Sequence, residues 1–212
     1  MTYPPLSRSI CLASTLFSLT GESARSLPFP DRSPANKLTA SDAADDDEFA
    51  YALAQSGNLV VVGAHLEDGA GSNRGAAYVY DAGTGSEVYK LTASDGENDD
   101  RFGLAVAVAN RICIVGAPEE DGTGTNRGAA YVFNLETGEE LFKLTASDAR
   151  KGDQFGYSVA IMGKRAIIGA WRAEGASESP SADKGAAYVF DLTTGAEIVR
   201  LTASDGENAD YF

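Results

Sequence analysis

Apolar residues in this chain come in short runs, cut by glycine, asparagine and aspartate. A clear set is "FGLAVAV" (102–108), "ICIVGA" (112–117), "GAAYVF" (128–133) and "EELFKLTA" (139–146). These runs are rich in Val, Ile, Phe and Tyr and have strand length, so they predict four short β-strands. The third and fourth are joined by "TG", at Thr84-Gly85, Thr137-Gly138 and Thr194-Gly195. A glycine there suits the positive φ of a hairpin turn.

The face pattern is the informative part. In the run 76–80, Ala76, Tyr78 and Tyr80 point one way and Ala77 and Val79 the other. A sheet with one wet face alternates apolar with polar residues. Here both faces are apolar, so each sheet needs a neighbour on either side. The columns Val60/Cys113/Ala166 are small and apolar and read as packed. Cys113 is therefore expected to be a buried small hydrophobe, since nothing basic lies near it to activate a thiolate.

The set recurs. Lys37, Lys90 and Lys143 open "KLTASD" 53 residues apart, and Arg200 opens "RLTASD" 57 residues later. Phe49, Phe102, Phe155 and Phe212 repeat the same spacing. The four extra residues fall between Trp171 and Lys184, where a loop lengthens at little entropic cost. A period near fifty residues marks a stacked array whose units cannot bury their faces alone. The expected fold is all-β: a β-propeller-type array of four-stranded antiparallel blades, about three blades plus an orphan strand, in an incomplete ring. The units run about 47–94, 100–147 and 153–204, within a region 37–212. Small residues in the first three strands suit the narrow part of a wedge, and Tyr89 and Phe142 its wide rim. Three blades do not close a ring without extreme bending. The chain is expected to be a fragment of a longer repeat protein, half of a ring completed by further repeats or a second chain, or an open curved array.

Ahead of the repeats, Arg8 precedes the apolar run "ICLASTLFSL" (10–19), which has the length of a signal-peptide core. Residues 1–36 read as signal peptide plus disordered linker, the alternatives being a disordered N-terminus or a misassigned start. No eighteen-residue apolar run exists, so no membrane insertion is expected. The net charge is −14, from 31 acidic and 17 basic residues. That argues against nucleic acid and anionic membrane surfaces, which call for a basic patch.

The segments "DRFGLAVA" (100–107), "DQFGYSVA" (153–160) and "IVGAP" (114–118) resemble the FG-GAP repeats of integrin α-chain propellers, and more closely the bacterial-type FG-GAP repeat. The resemblance covers about residues 37–212. It implies a β-propeller with an extracellular or cell-surface role in binding or cell adhesion, and no particular ligand. Three departures stand out: Ala50 replaces the first glycine, and "GAP" becomes "GAH" at His65 and "GAW" at Trp171. The calcium loop of integrin-type repeats lies between strands one and two. Here that connection is "AQSGN", "VANR" or "MGKR", so that site is not carried over. The hairpin 131–144 is also similar to quinoprotein-type propeller repeats, which favour a tryptophan where this chain has Tyr89, Phe142 and Val199.

Alternate loops of an antiparallel blade share one side. The links from strand four to strand one and from two to three together hold 22 acidic and 7 basic residues. Essentially all the net charge is therefore expected on one face. Within it, "SDGENDD" sets Asp95, Glu97 and Asp99 at alternate positions beside Asp100, and Asp205, Glu207 and Asp210 partly repeat the pattern. Such oxygens suit weak calcium binding; the competing reading is a solvated, repulsive loop set that prevents edge pairing. One histidine, His65, cannot build a zinc set or a Ser-His-Asp triad. The expectation is a non-catalytic module with a protein or glycan ligand on the acidic face. A propeller enzyme domain, glycan-processing or quinoprotein-like, is the alternative.

Overall fold

The computed structural model describes residues 37–122, 125–173 and 184–205. The expected leader, most of the insertion before Lys184, Glu207, Asp210 and Phe212 lie outside these residues. Among the described residues there are twelve strands and no helix, hence none long and apolar enough to cross a membrane.

The strands form three antiparallel sheets, each in simple chain order. Blade 1 is β1 (Ala52–Ser56), β2 (Leu59–Ala64), β3 (Ala76–Asp81) and β4 (Glu87–Leu91). Blade 2 is β5 (Ala105–Ala109), β6 (Ile112–Ala117), β7 (Ala129–Asn134) and β8 (Glu139–Leu144). Blade 3 is β9 (Phe155–Met162), β10 (Arg165–Ala170), β11 (Ala186–Asp191) and β12 (Ala196–Leu201). The first strands β1, β5 and β9 lie side by side, so the blades radiate from a common inner edge. The pairing of strands three and four shifts register at one equivalent step, Val79/Tyr80, Val132/Phe133 and Val189/Phe190. The "TG" turns close as expected: Gly85, Gly138 and Gly195 have φ near 72–78° and donate to the carbonyls of residues 81, 134 and 191.

Each blade buries its two faces against different partners, as the alternation in strand three requires. Val61, Ala77, Val79 and Leu91 of blade 1 meet Phe102, Val115, Ala117, Tyr131 and Phe133 of blade 2 in one cluster. Ile114, Ala130, Val132 and Leu144 of blade 2 meet Phe155, Ile168, Ala186, Tyr188 and Phe190 of blade 3 in the next. Phe102 and Phe155 sit at the junctions, each edge-on to a pair of rings 5.5–5.8 Å away. Cys113 is fully buried, and burial pushes its thiol pKa well up.

One expectation changes. Lys37–Ala40 does not form a strand, because among the described residues no third strand of a preceding blade lies beside it to supply hydrogen bonds. Leu38 and Ala40 still pack on the face of blade 1 turned away from blade 2, with Phe49, Val62 and Tyr78.

The junctions are set by glycine. A Cβ on Gly63 would lie 2.0 Å from the carbonyl oxygen of Gly103, and one on Gly116 would lie 1.9 Å from that of Gly156. Gly75 and Gly128 receive the carbonyls of Phe102 and Phe155 just as closely. The Phe-Gly of each blade is thus seated over two glycines of the blade before it. Gly116→Ala is expected to cost about 3 kcal/mol or more, because the obstacle is backbone. Gly169→Ala, at the same place in blade 3, meets only the Ser158 hydroxyl and is expected to stay within about 1 kcal/mol. Urea unfolding of the two variants separates them.

Candidate functional site: the acidic loop face

The loops joining strands two to three and four to one lie against each other on one face. Asp99, Arg101 and Phe102 donate backbone hydrogen bonds to the carbonyls of Ser72, Asn73 and Arg74. One repeat on, Gly152, Gln154 and Phe155 donate to Thr125, Asn126 and Arg127. The chain accepts strain to do so: Asp99, Arg101 and Gly103 alternate at positive φ, as do Gly152, Gln154 and Gly156. The arrangement gathers the acidic loops as the alternation of strands implies.

At the base of this face each repeat builds the same clamp. In repeat 2, Lys143 Nζ lies 2.6 Å from Asp95 and 2.8 Å from Glu120, while the Tyr131 hydroxyl donates to Asp95 at 2.8 Å. Repeat 1 matches it with Lys90, Asp42, Glu67 and Tyr78. Repeat 3 uses Arg200, Asp148 and Tyr188, with Ala173 in place of the glutamate. Burial alone would raise the Asp95 pKa, but the hydrogen bonds from Lys143 and Tyr131 outweigh it and hold the carboxylate below its usual range. Burial likewise works against the Lys143 charge, and its two carboxylates more than restore it. Burial and the Asp95 acceptor push Tyr131 up, keeping it a neutral donor. A second device ties outer strands together: Glu140 accepts from the Ser94 amide and hydroxyl, and Glu87 and Glu197 do the same for Ser41 and Ser147.

The structure places the acids singled out from sequence in separate roles. Asp95 belongs to the clamp. Asp100 is buried and accepts from the Glu97 amide at 2.6 Å, capping a turn. The Glu97 side chain is exposed, and Asp99 accepts from the Asn73 amide group at 2.8 Å. Asp205 is exposed; Glu207 and Asp210 lie outside the described residues. Among the described residues no three of His, Cys, Asp and Glu gather so as to hold a metal ion. The four acids 95–100 do not fit a calcium cage in this arrangement, with Lys143 bonded to Asp95. His65 is buried against Tyr51, and burial lowers its pKa despite Glu48 at 3.6 Å. An open cleft of about 470 Å³ lies beside the repeat 1 clamp, bounded by Asp42, Asp47, Glu67, Asp68 and Lys90.

The lysine, tyrosine and glutamate of the clamp were not singled out from sequence as functional. Their signal was present, since Lys90/Lys143, Tyr78/Tyr131 and Glu67/Glu120 each recur at 53 residues.

The sequence model of the FG-GAP repeat matches residues 33–80, 86–133 and 139–190. The chain belongs to the FG-GAP repeat family. Each FG-GAP match after the first starts at the outer strand of one blade and ends in the third strand of the next. The family's sequence unit thus spans a junction rather than a blade. Among curated proteins, integrin alpha-11 of Mus musculus is 32% identical over 116 residues, 48% of this FG-GAP chain and 10% of the integrin. The chain therefore spans about a tenth of that relative's length. Among solved structures, Kuenenia stuttgartiensis hydrazine synthase superposes with a TM-score of 0.50 at 15% identity, over 81% of this chain and 41% of that one. That likeness concerns the fold alone.

Two measurements test the site. Lys143→Met leaves the buried Glu120 carboxylate without its cation and Asp95 with only the Tyr131 hydroxyl, and is expected to cost about 1–3 kcal/mol by urea unfolding. A cost near zero would remove the clamp as a stabilising element. Asp100 gives a pH effect of the opposite sign to Asp95. Burial chiefly, with the charges of Glu120, Glu97 and Asp121 against the Glu97 amide, pushes its pKa up to about 6. The folded chain holds this proton more tightly than the unfolded one, so its contribution is greatest below about pH 4 and is lost as pH rises through 6. Asp100→Asn is therefore expected to gain on the parent steadily between pH 4 and 7. Parallel stability curves would contradict the assignment.

Proposed function

We infer that this chain is a non-catalytic β-propeller module of extracellular binding or adhesion, engaging a protein ligand rich in basic side chains through its acidic loop face. The observation that carries this reading is the cleft at Asp42, Asp47, Glu67, Asp68 and Lys90, set in a face that concentrates the chain's net charge. Opposed charge steers such a partner and fixes its register. The relatedness to an integrin α-chain supports adhesion and an extracellular setting. The acids at the base of the face are engaged by lysine, tyrosine and backbone amides, an arrangement that offers shape and charge more than proton transfer. Calcium would require the 95–100 loop to release Asp95 from Lys143, so any binding of the ion is weak and the ligand does not depend on it.

The test is binding of the purified chain to arrays of basic peptides, extracellular-matrix proteins and glycans at 50 and 300 mM salt, with and without millimolar calcium. A basic protein ligand that weakens several-fold with salt, and again in Asp46→Asn/Asp68→Asn, which removes one exposed carboxylate from each of the two loops at the cleft, supports the reading. Binding indifferent to salt and to those substitutions, or turnover of a bound glycan, overturns it. Equilibrium dialysis at millimolar calcium measures the ion directly.

A further inference from the structure

The loop after β2 and the strip after β4 enclose a cavity of about 150 Å³, whose walls include Glu67, Gly69, Arg74, Ala93 and Gly96. Two of these walls carry charge that nothing meets. Glu67 is 6% exposed. Its Oε1 accepts from the Gly69 amide at 3.0 Å and pairs with Lys90 at 2.8 Å. Its Oε2 is buried and accepts no hydrogen bond among the described residues. A buried acceptor left unmet is costly and calls for a partner. Glycine keeps the space beside it open, since a Cβ on Gly69 would lie 3.4 Å from Oε2. The half-buried Arg74 guanidinium likewise makes no hydrogen bond or ion pair among the described residues. Its Nη2 lies 3.6 Å from where a Cβ on Gly96 would stand.

The other repeats differ at these two points. In repeat 2, Glu120 and Arg127 line a cavity of about 170 Å³ in the same place. There Arg127 Nη2 donates to the carbonyl of Ala149 on the cavity wall, and Glu120 has no fully buried oxygen without a partner. Repeat 3 has Ala173 and Lys184, so carboxylate and guanidinium are lost together.

We propose that the repeat 1 cavity binds a small zwitterion, a free α-amino acid of the size of glycine or alanine, with its ammonium on Glu67 Oε2 and its carboxylate on Arg74. The two unmet charges select the class. A metal ion or an amine alone would face Arg74 and Lys90, and an anion alone would face Glu67. A molecule carrying both signs meets both walls through charge-assisted hydrogen bonds, and a guanidinium grips a carboxylate in two parallel ones. Asp42 and Glu67 balance Lys90 and Arg74, which suits a ligand of no net charge. The volume holds the size down. A residue inside a peptide has neither charge on its main chain, so the amino acid is free. This site goes beyond the basic partner of the outer cleft and shares only Glu67 and Gly69 with it.

The test is isothermal titration calorimetry of the full chain with glycine and alanine. One site per chain is expected, at about 1 mM or tighter, a range open to so few atoms. Glycinamide lacks the carboxylate and N-acetylglycine the ammonium; each is expected to bind at least tenfold more weakly. Arg74→Gln is expected to lose at least tenfold in glycine affinity with the parent's urea midpoint kept, because the guanidinium holds nothing else. Gly96→Ala puts a Cβ in ordinary contact with Ala93, at 3.4 Å, and is expected to fold and to weaken alanine more than glycine. No binding at about 10 mM glycine, two sites per chain, or equal binding of either blocked compound overturns the site. Unchanged binding in Arg74→Gln or in Gly96→Ala overturns its placement. None of these readings depends on the basic ligand of the cleft.

Discussion

The stack rests on a close approach of backbone to backbone: the carbonyl of a Phe-Gly pair set over glycines of the preceding blade. No side chain fits between them. Because that contact holds the inner parts of two sheets together, the flanking phenylalanine is forced into the junction, where its ring meets a tyrosine and a second phenylalanine edge-on. The remaining apolar pairs then fall into register, since each sheet has only one way to lie once its inner edge is pinned. Burying such rings contributes about 1.5–3 kcal/mol apiece, yet the glycines decide whether the rings can meet at all.

Polar groups close the junction toward the rim. The clamp lysine reaches back to an aspartate of the incoming strip and sideways to a glutamate of the neighbouring loop, so one cation ties three segments. Where the glutamate is replaced by Ala173, the lysine has become Arg200, whose Nε reaches the tyrosine hydroxyl as well as the aspartate. An acidic face can therefore be dense in charge and still well ordered, because the acids at its base are neutralised from below.

The four-stranded blades and their two-sided burial were legible because period-two alternation and a repeat of 53 residues report directly on faces and neighbours. What the alternation could not report was pairing that depends on a neighbour's presence: Lys37–Ala40 has the sequence of an outer strand and is not one. The roles of Asp95 and Asp100 were likewise hidden. Their spacing along the loop suggests converging oxygens, but one is bonded to Lys143 and the other is buried against the Glu97 amide. The departure at Ala50, visible in sequence as an irregularity, falls where no preceding blade lies among the described residues, whereas Gly103 and Gly156 are pressed on one.

The offset between the FG-GAP sequence unit and the blade has a consequence for how such a chain changes length. A unit that begins in an outer strand and ends in the third strand of the next blade carries both halves of one seam, cut at the hairpin tips in solvent. Adding or losing a unit brings together two surfaces that already match, and leaves every remaining seam untouched. Growth by whole units therefore needs no new fit to be invented, and variation is free to gather in the loops.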